Sequence, residues 1–169
     1  MKHHETAEEI AAFFDACALR GDMADFTPED LPKLEALLRL WDIRPGARVL
    51  EVGCGAGRLT ARLAETVGPT GEVVAMDLSG EMIRLAARRG LPENVHFVQG
   101  DVRQAPRPDG WFDCVLCFCV LPHLQPLAPA LAEMARVARP GAHLWICHLM
   151  SRARINSFHR NVGSTVAGH

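Results

Sequence analysis

The residues best suited to chemistry lie in two short stretches. In Glu51-Val52-Gly53-Cys54-Gly55-Ala56-Gly57 glycine alternates with other residues directly after an apolar run, and Asp77 closes a second apolar run twenty residues past Gly57. Glycines, lacking Cβ, can take positive φ and let a ligand approach the main chain closely. In Arg58–Ala64 the leucines recur four apart, so a helix begins where the turn ends and its first N–H groups are unpaired. In a doubly wound sheet, an acid closing the second strand lies beside the first glycine turn, where a carboxylate can accept from two ribose hydroxyls. The turn by itself is also consistent with a tight strand-to-helix connection, and the acid with nicotinamide enzymes. The spacing Glu51-x-Gly53-x-Gly55-x-Gly57 differs from the G-x-G-x-x-G of dinucleotide folds.

Histidine and cysteine supply the other candidates. His123 and His148 both follow apolar strand-like runs, where a second substrate would sit, and either can serve as a general base near neutrality. Each has a plain reading too, His148 as hydrogen-bonded structure and His123 as a loop residue. Cys114, Cys117 and Cys119, with Cys147 nearby in the sheet, invite a metal. Alternation along a strand sets Cys114 against Cys117 and Cys119, so no metal site is expected. A softer variant has Cys119 and Cys147 converging near the pocket on a thiophilic acceptor such as a metalloid.

Taken in order, the glycine turn, Asp77-Leu78-Ser79-x-x-Met82, Gly100-Asp101-Val102, Phe112–Cys117 and Arg139-Pro140-Gly141 resemble the class I (Rossmann-like) S-adenosylmethionine-dependent methyltransferases, over about residues 40–150. The resemblance implies S-adenosyl-L-methionine as cofactor and methyl transfer to a small-molecule acceptor by in-line displacement. It implies that Glu51, Gly53, Gly55 and Gly57 position the methionine portion and Asp77 the ribose. Asp101 would accept from the adenine amino group, Val102 would offer a main-chain N–H, and Leu78 and Met82 would give the ring apolar contact or serve as plain core. Cys117, from the fourth-strand motif, is counted with them. Family members often carry histidine at the position of His123, yet many need no base, because the sulfonium is already activated and alignment supplies much of the rate.

The elements that must position these groups alternate strand and helix. Thr6–Leu19 reads as an amphipathic helix with Ile10, Phe13, Phe14, Cys17 and Ala18 on one side and Glu8, Glu9 and Asp15 opposite. Thr27-Pro28-Glu29-Asp30 is a helix-start signature, followed by a stripe from Leu31 to Trp41. Strands are expected at the runs ending in Val52 and Asp77, over Asn94–Gln99, Phe112–Cys119 and Ala142–Leu149. Ser79 is expected to cap a helix with Arg84, Arg88 and Arg89 outward. The fold class is α/β, a three-layer Rossmann-like sandwich with a mostly parallel sheet and N-terminal helices. Residues 1–45 form a cap or packing unit, 46–150 the cofactor-binding core and 151–169 a tail. In the N-terminal helices core packing competes with a partial lid.

Composition narrows the partners. A hydrophobic content of 49% and a formal net charge of −2 suit a soluble globular chain without a field to recruit nucleic acid. The fourth-strand exit is Cys-Val-Leu-Pro rather than the Asn/Asp-Pro-Pro-aromatic of base-methylating relatives, so nucleic acid is not an expected partner; apolar runs such as Val115–Leu121 are too short to span a bilayer, so a membrane is not expected either. Six cysteines without a secretory signal point to a reducing cytoplasm. The resembled fold continues with a helix and an antiparallel strand pair. Here only the polar Ser151–His169 follows, one helix at most, anchored by Ile155 and Phe158. The antiparallel pair is therefore expected to be absent, and His143–Leu149 to be an edge strand prone to self-association. Two alternatives stand beside methyl transfer: a cofactor-binding protein without catalysis, and a nicotinamide-dependent oxidoreductase.

Overall fold

The computed structural model describes residues 6–22, 24–150 and 155. The elements run α1 (Ala7–Arg20), α2 (Leu31–Trp41), β1 (Arg48–Val52), α3 (Arg58–Val67), β2 (Glu72–Asp77), α4 (Gly80–Ala87), β3 (Val95–Gln99), β4 (Phe112–Phe118), α5 (Leu127–Val137) and β5 (Ala138–Cys147). All strand pairs are parallel, in the order β3-β2-β1-β4-β5. This is the expected α/β sandwich, with β1 at its centre between β2 and β4, where apolar runs bury both faces.

Alternation along the strands builds two cores. Leu50, Val52, Val74, Met76, Val115 and Cys117 face α5, packing with Ala130, Met134 and Val137. Val49, Val73, Cys114, Leu116 and Phe118 face the other way, onto Leu34 and Trp41 of α2 and Leu59, Leu63 and Val67 of α3. A third cluster joins α1 to α4 through Cys17, Ala18, Ala56 and Met82. Among the described residues, no helix is long and apolar enough to cross a membrane.

Several local expectations need correcting. The helix-start signature at Thr27 closes a separate turn: the Thr27 N–H and hydroxyl both donate to the Asp30 carboxylate, and α2 begins only at Leu31. Arg139-Pro140-Gly141 is not a turn before the fifth strand but lies within it. Ala138 pairs opposite Phe112 and regular pairing resumes with His143 opposite Cys114, leaving the intervening residues as a bulge. Arg89 does not face solvent; it bonds the carbonyls of Ala56 and Ala24 and the carboxylate of Asp25, tying the α4 exit to the loop after α1. Cys119 follows β4 with φ +61°, and this left-handed step swings it into the core of Cys114 and Cys147 rather than that of Cys117. The helix expected over 151–160, and its Phe158 anchor, lie outside the described residues apart from Ile155, which is helical.

Candidate functional site

At the carboxyl ends of the strands lies an open cleft, the place where ligands bind in doubly wound sheets. Its wall contains Glu51, Gly53, Gly55, Asp77, Leu78, Met82, Asp101, Val102 and His123 from the expected set. Gly57, Cys117 and His148 are not on that wall. Gly57, at φ +76°, lets α3 approach α4, since an added Cβ would stand 3.1 Å from the Ala86 Cβ. Cys117 is fully buried beneath the sheet surface, where burial pushes its thiol up to about 12. His148 follows β5, and its Nδ1 accepts from the Met150 N–H at 3.0 Å.

The glycine turn is fixed by its neighbours. Gly53 sits at φ +68°, and a Cβ there would fall 2.4 Å from Cγ2 of Val120, so the exits of β1 and β4 touch without room for a methyl group. The N–H of Gly55 donates to Oδ2 of Asp77 at 2.8 Å, clamping the turn to the end of β2. A Cβ on Gly55 would meet only Sδ of Met82, at 4.0 Å, so this position turns bare backbone towards the cleft. Oδ1 of Asp77 accepts from the Ser79 N–H at 2.9 Å. Each Asp77 oxygen keeps further acceptor capacity. Burial raises the pKa of this carboxyl, partly offset by the Ser79 and Gly55 N–H groups.

Ser79 also links the cleft to α1. Its hydroxyl accepts from the Met82 N–H, as expected of an N-cap, and donates to Asp15 at 2.5 Å. Asp15 also accepts from the Glu81 N–H. Asp15 was expected on the solvent side of α1; it faces α4 because the open helix start supplies donors that water would otherwise satisfy. The same packing brings Ile10 and Phe14 onto the cleft wall. The Phe14 ring meets that of His123 edge-on, centroids 5.1 Å apart.

Two acids on the wall differ in state. Glu51 is 2% exposed, and burial pushes its carboxyl up to about 8, with a smaller contribution from the charge of Asp77. Burial also acts on Asp101, but the Arg103 guanidinium and backbone N–H outweigh it and hold the carboxyl below its ordinary value. Cys119 lines the cleft and its N–H bonds the Cys147 carbonyl at 2.9 Å, while Cys147 itself is not on the wall. Among the described residues, no three His, Cys, Asp or Glu side chains converge as a metal site.

Sequence reasoning did not single out Arg58, which opens α3 and also lines the cleft. Its signal was faint, because an arginine directly after a glycine turn reads as an exposed helix start. In the sequence Phe14 belongs to an apolar stripe; its place on the wall depends on how α1 docks.

Comparison with known proteins agrees with this geometry. A family model described as a methyltransferase domain matches residues 49–141, more than half of the chain. A ubiquinone/menaquinone biosynthesis C-methyltransferase, UbiE, of Ectopseudomonas mendocina is 37% identical over 149 residues, covering 84% of this chain and 58% of that protein. The chain thus spans somewhat over half the length of the curated relatives it matches. Among solved structures, a SAM-dependent methyltransferase from Aquifex aeolicus superposes with a TM-score of 0.63 at 28% identity, over 83% of this chain and 71% of that one. An arsenic(III) S-adenosylmethionine methyltransferase from Chlamydomonas reinhardtii gives 0.59 at 28% identity, over 73% and 47%.

Proposed function

The chain belongs to the class I S-adenosylmethionine-dependent methyltransferase family, and from that we propose that it methylates a small, largely apolar acceptor. The observation that carries the reading is one cleft uniting the Gly53–Gly55 turn, Asp77 and Asp101 with His123 and the apolar side chains of α1. S-adenosylmethionine, the family's cofactor, supplies an activated methyl group on a sulfonium. Residues 46–150 carry the donor site and α1 covers it.

Gly53 and Gly55 hold the methionine portion against bare backbone, with Glu51 beneath. Asp77 accepts from the ribose hydroxyls through the acceptor capacity its two N–H partners leave. Leu78 and Met82 bracket the adenine, Asp101 accepts from its amino group, and the Val102 N–H completes the recognition. Phe14 and Ile10 cover the cleft and exclude water. His123 takes a proton from the acceptor on a ring nitrogen. An apolar acceptor is supported by Ile10, Phe14, Val120 and Leu124 on the wall and by relatives named as C-methyltransferases of quinone biosynthesis.

Titration calorimetry tests the donor half. S-adenosylmethionine should bind and NAD should not. Asp77→Ala should weaken S-adenosylmethionine roughly tenfold or more by removing charge-assisted hydrogen bonds. Equal affinity of wild type and variant would overturn the assignment of Asp77.

A further inference from the structure

Among the described residues, Arg58 is the sole arginine or lysine on the wall of the main cleft. Its guanidinium lies over the ring of Phe26, 4.5 Å from the centroid, and Phe26 in turn packs edge-on against Phe118. Its recorded hydrogen bond is a long one, from Nη1 to the Asp25 carbonyl at 3.3 Å. Among the described residues, no carboxylate pairs with it, whereas Arg62, Arg89, Arg103 and Arg136 each hold at least one. A guanidinium carries five N–H donors in a rigid fork that matches a carboxylate. Most of that fork is unspent. The cation–π contact with Phe26 restrains the guanidinium, which lowers the entropic cost of a bidentate contact.

We propose that Arg58 receives the α-carboxylate of the donor's methionine portion, a role that rests on the donor-binding reading above. In that reading the methionine portion lies at the Gly53–Gly55 turn, and Arg58 opens the helix that follows this turn. The carboxyl groups on the wall, those of Glu51, Asp77 and Asp101, supply no positive charge to a carboxylate. Burial keeps Glu51 protonated at neutral pH, so it does not cancel the charge of Arg58.

The test compares S-adenosylmethionine with its decarboxylated form, which keeps the sulfonium, the amine and the nucleoside, by calorimetry on wild type and Arg58→Met. Wild type should bind the decarboxylated form about ten- to a hundredfold more weakly than S-adenosylmethionine. Arg58→Met should lose a similar factor for S-adenosylmethionine and leave affinity for the decarboxylated form unchanged, which also reports that the variant is folded. A variant that weakens both ligands equally, or neither, or that changes only the KM of the acceptor, overturns the role of Arg58. Equal binding of the two ligands by wild type overturns it as well while leaving the donor reading intact. If wild type binds neither, the donor reading falls first and this one with it.

Discussion

The Thr60 hydroxyl donates to the Glu51 carboxyl at 2.6 Å, bridging the first turn of α3 to the end of β1. Among the described residues, no other side chain reaches that acid. One neutral donor does not offset the loss of water around a carboxylate, so the folded state holds the proton instead.

Stability should therefore fall as pH rises. The folded pKa of Glu51 lies at about 8 against an ordinary 4.5. The folded state binds the proton more tightly than the unfolded chain. This contribution is complete below the ordinary value and is lost as pH rises through the folded one, at up to about 1.4 kcal/mol per pH unit. Thermal unfolding between about pH 5 and 8 should show Tm decreasing. Glu51→Gln, which keeps an acceptor for Thr60, should flatten that slope. An unchanged slope in the variant would place the titration elsewhere.

Replacing His123 with alanine should slow turnover by about a hundredfold or more while leaving S-adenosylmethionine affinity nearly unchanged, as expected of a general base at the acceptor. If His123 acts only by packing against Phe14, Phe14→Leu slows turnover as much as His123→Ala does.

The strand β5 closes one side of the five-stranded sheet and pairs only with β4 among the described residues. His143 and Ile146 on it are exposed. An edge this apolar, without lysine inside the 143–149 stretch, offers unpaired N–H and C=O groups as a template for another strand. Light scattering should show association that grows with concentration and that Ile146→Lys reduces. A concentration-independent monomer whose 143–149 amides are strongly protected from exchange would contradict this.

Much of the frame was legible because it follows from local pattern. The apolar runs placed β1, β2 and β4 to within a residue or two, and Ser79 capped its helix as its hydroxyl predicts. The glycine turn and Asp77 were legible because strand ends converge in any doubly wound sheet. What escaped depends on partners far along the chain. Asp15 and Arg89 looked solvent-facing because helical periodicity reports one helix and not its neighbour. The bulge at Arg139-Pro140-Gly141 read as a turn because proline and glycine usually end pairing, whereas here pairing resumes beyond them. Alternation puts Cys119 on the wrong side because it assumes extended backbone, and the φ of +61° breaks that assumption.

The contact of Gly53 with Val120 limits which sequences this fold can accept. A side chain at 53 meets two obstacles of different origin: the isopropyl group of Val120, 2.4 Å from the new Cβ, and its own φ of +68°. Trimming Val120 to alanine removes part of the first and none of the second. The two positions are thus coupled in one direction only. Residue 120 can shrink while Gly53 stays, but Gly53 cannot gain a side chain without strain whatever stands at 120.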